Sequence, residues 1–251
     1  VQQEIPDTRI DLLDLLRIYP VKDAPQFEQV INILEPIAPR LYSISSSPEA
    51  HSGEVHITVA LDRFNVNNET KSGLCSDYLS QLKVDSVIDF YIHKNSQFKL
   101  PAADKDVIMI GPGTGIAPFR SFIAERDATG ATGRNWLFFG DQKFTSDFLY
   151  QTEIQNWADT GVLSKVNLAF SRDQKSKIYV QHRMLEHAEE LWKWIDNGAY
   201  VYVCGAKFPM SNDVENALLQ IIERQGGKSI PDAIAFIEKL KEEGRYLLDV
   251  Y

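Results

Sequence analysis

The chain has few cysteines and no long apolar run. Its two cysteines, Cys75 and Cys204, are too few for a secreted disulfide framework and lack the paired spacing of a zinc site. The motifs of zinc hydrolases and of Ser/His/Asp nucleophiles are missing as well, which disfavours both classes. No apolar segment approaches the ~20 residues that a membrane-spanning helix requires. We therefore expect reduced cysteines, a cytoplasmic location and no membrane partner.

The chain also has a deficit of positive charge. It carries 26 Lys and Arg against 35 Asp and Glu, a net charge of -9. Nucleic acids and anionic membranes are bound through a positive field, which this balance does not supply. Nucleic acid is therefore not expected as a partner.

What the chain does contain is the composition of a globular protein, with 44% hydrophobic and 24% charged residues. Residues 1–38 predict two short helices. Residues 39–103 are rich in β-forming segments: "RLYSISSS", "EVHITVALDRF" and "SVIDFYIHKNSQFKL". This second region predicts an antiparallel sheet or small barrel.

Residues 104–251 change to an alternation of strands and helices. The predicted strands are "VIMIG", "NWLFFG", "KVNLAFS", "YVYVCG" and "RYLLDVY". The predicted helices are "APFRSFIAERDA", "DFLYQTEIQNWADTG", "VQHRMLEHAEELWKWID", "SNDVENALLQIIERQG" and "PDAIAFIEKLKEEG". Continuously apolar strands that alternate with helices predict a doubly wound parallel sheet.

The first of these strands runs directly into a glycine-rich loop, "VIMIGPGTGIAPFRSF". Gly111, Gly113 and Gly115 permit a tight turn and a close ligand approach, and a helix is expected to begin near Ala117 or Pro118. The amide groups at such a helix start favour phosphate. An ordinary glycine-rich turn is the alternative, but the complete strand–loop–helix pattern favours a nucleotide site.

Cationic side chains follow a second strand, in "FSRDQKSKIYVQ". Ser171, Arg172 and Lys177 are expected at a strand's carboxyl end, where ligands bind in open α/β sheets, and Tyr179 offers a stacking face. Each charge-assisted hydrogen bond to a phosphate contributes roughly 1.5–3 kcal/mol. The segment predicts a phosphorylated ligand, with a solvated charge cluster as the alternative.

Three shorter features are ambiguous by themselves. "RLYS" offers Arg40 for an anion, Tyr42 for stacking and Ser43 for a hydrogen bond, but also fits an amphipathic strand. "SGLCSDYL" puts Gly73 at a predicted helix start, which suits either a phosphate or an ordinary cap. Cys204, at the end of "YVYVCG", fits a small buried apolar residue.

Taken in order, these motifs resemble the ferredoxin–NADP reductase-like module of the diflavin reductases. The matching strings are "RLYS", "GLCS", "GPGTGIAPFR", "SRDQKSKIYVQ", "YVCG" and the terminal "DVY", spread over nearly the whole chain. The resemblance implies an antiparallel FAD-binding β-barrel at 39–103, followed by a doubly wound NADP-binding domain at 104–251. It also implies an NADPH-dependent flavoprotein reductase.

The resemblance implies an FAD site built from three segments. Arg40 would face the FAD pyrophosphate, Tyr42 would stack on the isoalloxazine, and Ser43 would lie near its reactive nitrogen. The other implied flavin-lining and pyrophosphate-loop residues are Leu41, Thr58, Val59, Ala60, Phe64, Gly73, Leu74, Cys75 and Ser76.

A nicotinamide nucleotide site is implied in the second half. Its loop residues are Gly111, Gly113, Thr114, Gly115 and Pro118. Its residues for the 2′-phosphate and adenine are Ser171, Arg172, Lys177, Ile178, Tyr179, Val180, Gln181 and Asp213. The cationic pocket is the reason that NADPH is expected rather than NADH.

The resemblance further implies a catalytic group around the contact between nicotinamide and flavin. Ser43, Cys204 and Asp249 match its members, and Tyr251 matches an aromatic residue that stacks on the flavin and moves aside for nicotinamide. The implied reaction is hydride transfer from NADPH to FAD.

The family pattern also implies parts that this chain is expected to lack. In the family, FMN is held by a flavodoxin-like domain that comes first, and electrons pass through it to a further acceptor, which the resemblance implies to be a hemoprotein. The chain is expected to begin inside the helical connecting domain, which leaves the FAD barrel incomplete. Ala206 stands where the family usually has an acidic residue, which changes polar contacts near the nicotinamide.

Two alternatives remain open. A stand-alone ferredoxin–NADP reductase would have the same chemistry with another partner. A non-catalytic nucleotide-binding or docking fragment would keep the nucleotide pocket without the reaction.

Overall fold

The computed structural model describes residues 9–66 and 68–251 and divides into two compact units. One unit comprises the described residues through Leu41 together with Val59–Tyr91, and the other comprises Tyr42–Thr58 and Ile92–Tyr251. Residues 1–8 of the predicted helical segment, and Asn67 in the predicted turn after it, lie outside the described residues.

The first unit contains three short helices and a β-hairpin: α1 Leu12–Ile18, α2 Ala24–Asn32, β1 Arg63–Val66, β2 Glu69–Ser72 and α3 Leu74–Ser80. The side chains of Asp11 and Asp23 cap α1 and α2, which explains where these helices begin. Lys71 on β2 forms ion pairs with Asp11 and Asp14, so the hairpin is tied to α1. The two helices predicted before residue 38 are confirmed.

The predicted antiparallel region contains less strand than its sequence pattern suggests. β1 and β2 pair antiparallel, and an isolated bridge joins Ile44 to Ile57. The strand predicted in "SVIDFYIHKNSQFKL" is wrong, because that segment has no strand and Val87 is 94% exposed. An alternating segment becomes a strand only when a neighbour supplies hydrogen bonds, and no described residue pairs with this one.

The second unit is a five-stranded parallel sheet with the order β5–β4–β3–β6–β7. Its strands are β3 Val107–Ile110, β4 Asn135–Asp141, β5 Lys165–Phe170, β6 Tyr200–Gly205 and β7 Tyr246–Val250. Its helices are α4 Ala117–Ala128, α5 Phe144–Asp147, α6 Gln151–Asp159, α7 Val180–Glu186, α8 Ala188–Asp196, α9 Asn212–Gly226 and α10 Ile230–Glu242. The predicted doubly wound parallel sheet is confirmed.

Helices cover both faces of this sheet, and the three interior strands β3, β4 and β6 are buried on both. Ile108 and Phe138 point into a core that includes residues of α7 to α10. Their chain neighbours, such as Met109 and Leu137, point into the opposite core, which includes Phe119 on α4. This two-sided burial is the reason that the strands are continuously apolar rather than alternating.

Two predicted helices have other bounds in the structure. The helix predicted at 180–196 is two helices, because the backbone leaves helical geometry at His187. The Nε2 atom of His187 lies 2.7 Å from the Asn167 amide nitrogen, a tertiary contact that accompanies the break. The helix predicted at 147–161 begins at Gln151, after Tyr150 adopts a left-handed conformation with φ of 56°.

The strand order reverses at β3. From β3 the chain adds β4 and β5 on one side, and then adds β6 and β7 on the other. A crevice opens beyond the carboxyl ends of the strands at such a reversal, and ligands bind there in open α/β sheets. In the last pair, Cys204 lies opposite Asp249.

Candidate functional site

A cavity of about 500 Å³ lies beyond the carboxyl ends of the strands in the second unit. Eight residues predicted for nicotinamide nucleotide binding line it: Gly113, Ser171, Arg172, Lys177, Tyr179, Val180, Gln181 and Asp213. These residues come from the loops after β3 and β5 and from the first turns of α7 and α9. The fold therefore brings distant parts of the sequence to one pocket.

Of the three glycines in the glycine-rich loop, one lies at the cavity beside Pro112 and two are in packing positions. Gly113 lines the cavity with φ of +57°, a conformation that favours glycine. Gly115 is buried, and a Cβ there would overlap the carbonyl oxygen of Cys204 and stand 2.8 Å from its carbonyl carbon. A Cβ at Gly111 would overlap the carbonyl oxygen of Gly115 and stand 2.5 Å from the ring of Phe119. Close backbone packing therefore explains Gly111 and Gly115.

The remaining residues of the loop lead into the start of helix α4. Residues 113–116 form a single 3-10 turn that leads into α4. Pro118 lies in the first turn of α4 and is buried, while Thr114 is half-buried. Pro118 and Gly115 shape the loop rather than line the cavity.

The cationic loop after β5 is anchored to the segment after β4. The backbone N–H groups of Ser171 and Arg172 each donate at 2.8 Å, to the carbonyls of Asp141 and Gln142. The Phe144 N–H donates to a carboxylate oxygen of Asp173 at 2.9 Å. These bonds hold the loop in place while its long side chains extend from it.

Arg172 and Lys177 supply positive charge to the cavity. Both are exposed cavity-lining residues, and neither forms an ion pair within residues 9–66 and 68–251. Gln181 on α7 donates to Asp213 on α9 at 3.2 Å, which joins the two helices at the other side of the pocket. Ile178, the remaining residue predicted here, packs against the apolar core instead.

Sequence reasoning missed some of the cavity lining. Asp141, Pro209 and Met210 line the pocket, as does Ala206, which the sequence had marked only as a departure from the family pattern. Burial raises the pKa of the Asp141 carboxyl. The signal available for Asp141 was its position at the end of a buried strand, "NWLFFGD", on the ligand-binding edge.

Three of the predicted catalytic residues meet beside this cavity. The Ser43 hydroxyl donates to Asp249 Oδ2 at 2.8 Å, and the Cys204 thiol approaches the same oxygen at 3.8 Å. Burial, followed by the neighbouring Asp249 carboxylate, raises the pKa of the Cys204 thiol to about 12. The thiol is therefore protonated at neutral pH and acts as a hydrogen-bond donor rather than a nucleophile.

Tyr251, the fourth predicted catalytic residue, is joined to the glycine-rich loop. Its hydroxyl lies 2.7 Å from the Thr114 hydroxyl, and its backbone N–H donates to the Gly205 carbonyl at 3.1 Å. The side chain is nevertheless 66% exposed. The preceding strand is thus anchored while the terminal ring lies at the surface, beside the loop.

Replacing Tyr251 with alanine is expected to change coenzyme preference much more than stability. The exposed ring contributes little burial, so we expect a melting-temperature change below about 3 °C. Its loss should reduce the preference for NADP+ over NAD+, measured by titration calorimetry, and alter the flavin spectrum of protein supplied with FAD. Tyr251→Phe, which removes only the bond to Thr114, is the matched control. A variant that is destabilised with unchanged preference would assign Tyr251 to the core strand.

The residues implied for FAD divide between the two units. In the second unit, Tyr42 is half-buried, and the Thr58 hydroxyl lies 2.6 Å from the Tyr150 hydroxyl. In the first unit, Arg40, Leu41 and Ala60 are exposed and Val59 is half-buried. The guanidinium of Arg9 lies 4.9 Å from the centre of the Phe64 ring.

The backbone amide groups at the start of α3 are suited to a pyrophosphate. Gly73 directly precedes the helix, and its N–H donates to the Asp62 carbonyl at 2.8 Å. The buried Ser76 hydroxyl donates to the Gly73 carbonyl at 3.0 Å, whereas Leu74 is exposed and Cys75 half-buried. The first amide groups of a helix have no acceptor inside it and can donate to an anion.

The described ranges lack two kinds of feature. Residues 9–66 and 68–251 contain no cluster of three or more His, Cys, Asp or Glu side chains that could hold a metal ion. Within the same ranges, no helix combines the length and the apolar character needed to cross a bilayer.

The comparison with known domain families supplies the class. The oxidoreductase NAD-binding domain family matches residues 109–216, and the FAD binding domain family matches residues 4–78. The first match contains the glycine-rich loop from Met109 onward and all of the cavity lining, and the second contains the implied flavin segments. The chain therefore belongs to the flavoprotein oxidoreductases that join an FAD-binding domain to a NAD(P)-binding domain.

Within this class, the chain is similar to one particular protein, the flavoprotein alpha-component of NADPH sulfite reductase. It is 48% identical to that protein of Bacillus subtilis over 96% of this chain and 40% of the relative. Identity to the Photobacterium profundum protein is 51%, over 89% of this chain and 37% of the relative. Identity to the Escherichia coli O157:H7 protein is 47%, over 96% of this chain and 40% of the relative. The family resemblance seen in the motifs is confirmed, and the chain spans about 40% of the length of the first of these relatives.

Proposed function

We propose that this chain is the module of an NADPH-dependent flavoprotein reductase in which a hydride passes from NADPH to FAD. The cationic cavity carries the proposal, because Arg172 and Lys177 line it together with Gly113 of the glycine-rich loop. Unpaired cations beside a phosphate-accepting loop fit a nucleotide that carries a 2′-phosphate. The names of the similar proteins, NADPH sulfite reductase flavoproteins, support the same nucleotide.

The residues of the chain would align the reactants and balance charge. When bound, NADPH supplies the hydride and FAD accepts it, and the rate of such a transfer depends on distance and orientation. Asp249 holds Ser43 at 2.8 Å and receives the Cys204 thiol at 3.8 Å. Its carboxylate would stabilise the positive charge that a nicotinamide gains as its hydride leaves.

The proposal extends to the longer protein of which this chain resembles a part. Electrons would pass from FAD to an FMN domain of the same polypeptide and then to the sulfite-reducing hemoprotein subunit, in the cytoplasm. FMN would not be held by this chain. We assign residues 1–38 to the end of the connecting domain, 39–103 to part of the FAD-binding domain and 104–251 to the NADP-binding domain.

The proposed reaction is tested by mixing the protein with FAD and NADPH under anaerobic conditions. Reduction should bleach the flavin absorption at about 450 nm. If FAD is demonstrably bound and the band persists, the catalytic proposal for this chain is wrong and a non-catalytic nucleotide-binding or docking role replaces it. Rapid electron transfer to ferredoxin would favour the stand-alone ferredoxin–NADP reductase.

Replacing Arg172 with alanine is expected to remove most of the preference for NADP+ over NAD+. The lost charge-assisted bond should weaken NADP+ binding by about 10- to 100-fold while NAD+ binding changes little. Titration calorimetry measures both affinities without any flavin. Lys175→Ala is the matched control, since Lys175 is an exposed cation of the same loop that does not line the cavity. Equal preference in wild type and Arg172→Ala would contradict the assigned phosphate pocket.

A further inference from the structure

Helix α4 joins the nucleotide loop to the segment that carries Ser43. The helix begins directly after the glycine-rich loop. Along its side, Arg120 Nη1 donates to the Ser45 carbonyl at 2.9 Å and the Ser121 hydroxyl donates to the Ser46 carbonyl at 2.7 Å. Segment Tyr42–Thr58 is therefore bonded to α4 through its backbone, within the second unit.

Arg120 makes the largest number of these contacts. Its Nε and Nη2 atoms donate to the two carboxylate oxygens of Glu153, at 2.6 and 2.8 Å. Its guanidinium also lies 4.7 Å from the centre of the Tyr150 ring. The residue is only 8% exposed, so its charge is held in place by these partners rather than by water.

Arg120 also fixes the far end of the segment. Its Nη1 atom lies 2.9 Å from His56 Nδ1. A guanidinium can only donate, so His56 accepts at Nδ1 and carries its proton on Nε2, which lies 2.7 Å from Glu54 Oε2. Tyr150, under the Arg120 guanidinium, bonds Thr58 through its hydroxyl at 2.6 Å. Both ends of the segment are thus tied to one side chain or to its direct neighbour.

The segment is connected to the site at its first residues. Ser43, two positions before Ser45, donates to Asp249 at 2.8 Å. Arg120, the fourth residue of α4, lies about one turn beyond the nucleotide loop. One helix therefore sets the separation between the loop for the nicotinamide nucleotide and the segment implied for the flavin.

We propose that Arg120 is a positioning residue for hydride transfer, because it holds segment Tyr42–Thr58 at a fixed distance from the nucleotide loop. This proposal rests on the proposed function. Arg120 touches neither the cavity nor the Ser43–Cys204–Asp249 group, and it acts through the segment. A guanidinium is suited to this role because its five donors have a fixed planar geometry, whereas a lysine ammonium cannot reproduce the paired contact with Glu153.

The first test compares Arg120→Lys with Arg126→Lys by hydrogen–deuterium exchange. Arg126 is the matched control, since it is a buried arginine of the same helix that donates to the carbonyls of Lys105 and Gly133. We expect exchange in peptides covering residues 42–58 to increase about tenfold in Arg120→Lys and to remain unchanged in Arg126→Lys. Unchanged exchange in Arg120→Lys, or an equal increase in both variants at the same melting temperature, would overturn the proposal.

Glu153→Gln provides a second variant if Arg120→Lys does not fold. This variant keeps the arginine and weakens its paired contact with Glu153, so a smaller increase in exchange is expected in the same peptides. Unchanged exchange in this variant would contradict the proposal.

The second test separates binding from transfer. In Arg120→Lys supplied with FAD, the flavin should be reduced about 100-fold more slowly, while calorimetric NADP+ affinity stays within about twofold of wild type. Reduction at the wild-type rate would overturn the positioning role. If the wild-type protein binds NADP+ and FAD but NADPH does not reduce its flavin, the proposed function fails, and the exchange experiment still decides whether Arg120 holds the segment.

Discussion

Replacing Gly115 with alanine is expected to lower the melting temperature by about 10 °C and to abolish NADP+ binding. The added Cβ would overlap the Cys204 carbonyl oxygen and stand 2.8 Å from its carbonyl carbon. Both atoms belong to the backbone of the interior strand β6, so neither side can move without disturbing the sheet. A displaced loop would also move Gly113 away from the cavity. Thermal unfolding and calorimetry measure the two effects.

Gly130→Ala is the matched control for this prediction. Gly130 follows α4 with φ of +65°, and nothing lies within 4 Å of the position of its Cβ. Alanine there carries only a conformational cost of about 1 kcal/mol and should leave NADP+ affinity unchanged. If both variants lose the same stability, the contact with Cys204 is not what makes glycine necessary at position 115.

Replacing Asp249 with asparagine is expected to slow flavin reduction by about 100- to 1000-fold with little change in NADP+ affinity. Asparagine retains an oxygen that accepts from the Ser43 hydroxyl at the 2.8 Å position but removes the negative charge. The loss should therefore fall on the step in which the nicotinamide becomes positive, rather than on binding. Anaerobic stopped-flow absorbance at saturating NADPH measures it.

Ser43→Ala separates charge from orientation at this site. It keeps the Asp249 carboxylate and removes its hydroxyl partner, so a smaller loss of about tenfold is expected. Its melting temperature and that of Asp249→Asn should remain close to wild type, since both positions are half-buried. Reduction by Asp249→Asn at the wild-type rate would remove Asp249 from the proposed reaction.

The parallel half of the fold was predictable because its signals are local. Helix α4 has the predicted bounds, since proline marks its first turn and a buried strand and glycine loop precede it. The break at His187 was not predictable, because the apolar periodicity continues through it and the contact with Asn167 joins distant segments. The absence of a strand at 86–100 has the same origin, as pairing depends on neighbours that a sequence window does not contain.

The site residues were likewise predictable where they belong to local motifs and not where their role depends on distant contacts. Arg172, Lys177 and Gly113 were found because they occur in recognisable motifs, and they line one cavity. Pro209 and Met210 line the same cavity without belonging to any motif. Arg120 lies inside a quoted motif, yet its role depends on Glu153, which is distant in sequence and becomes visible only in the packed structure.

Because β7 pairs with β6, the placement of the Asp249 carboxylate depends on the number of residues in the last strand as well as on their types. Cys204 lies opposite Asp249, and Val203 lies opposite Leu248. Side chains of a strand alternate between its faces, so a shift by one residue would turn the Asp249 carboxylate to the other side of the sheet. Deleting or inserting one residue between Tyr246 and Asp249 would then separate the carboxylate from Ser43 while leaving every side chain of the group chemically intact.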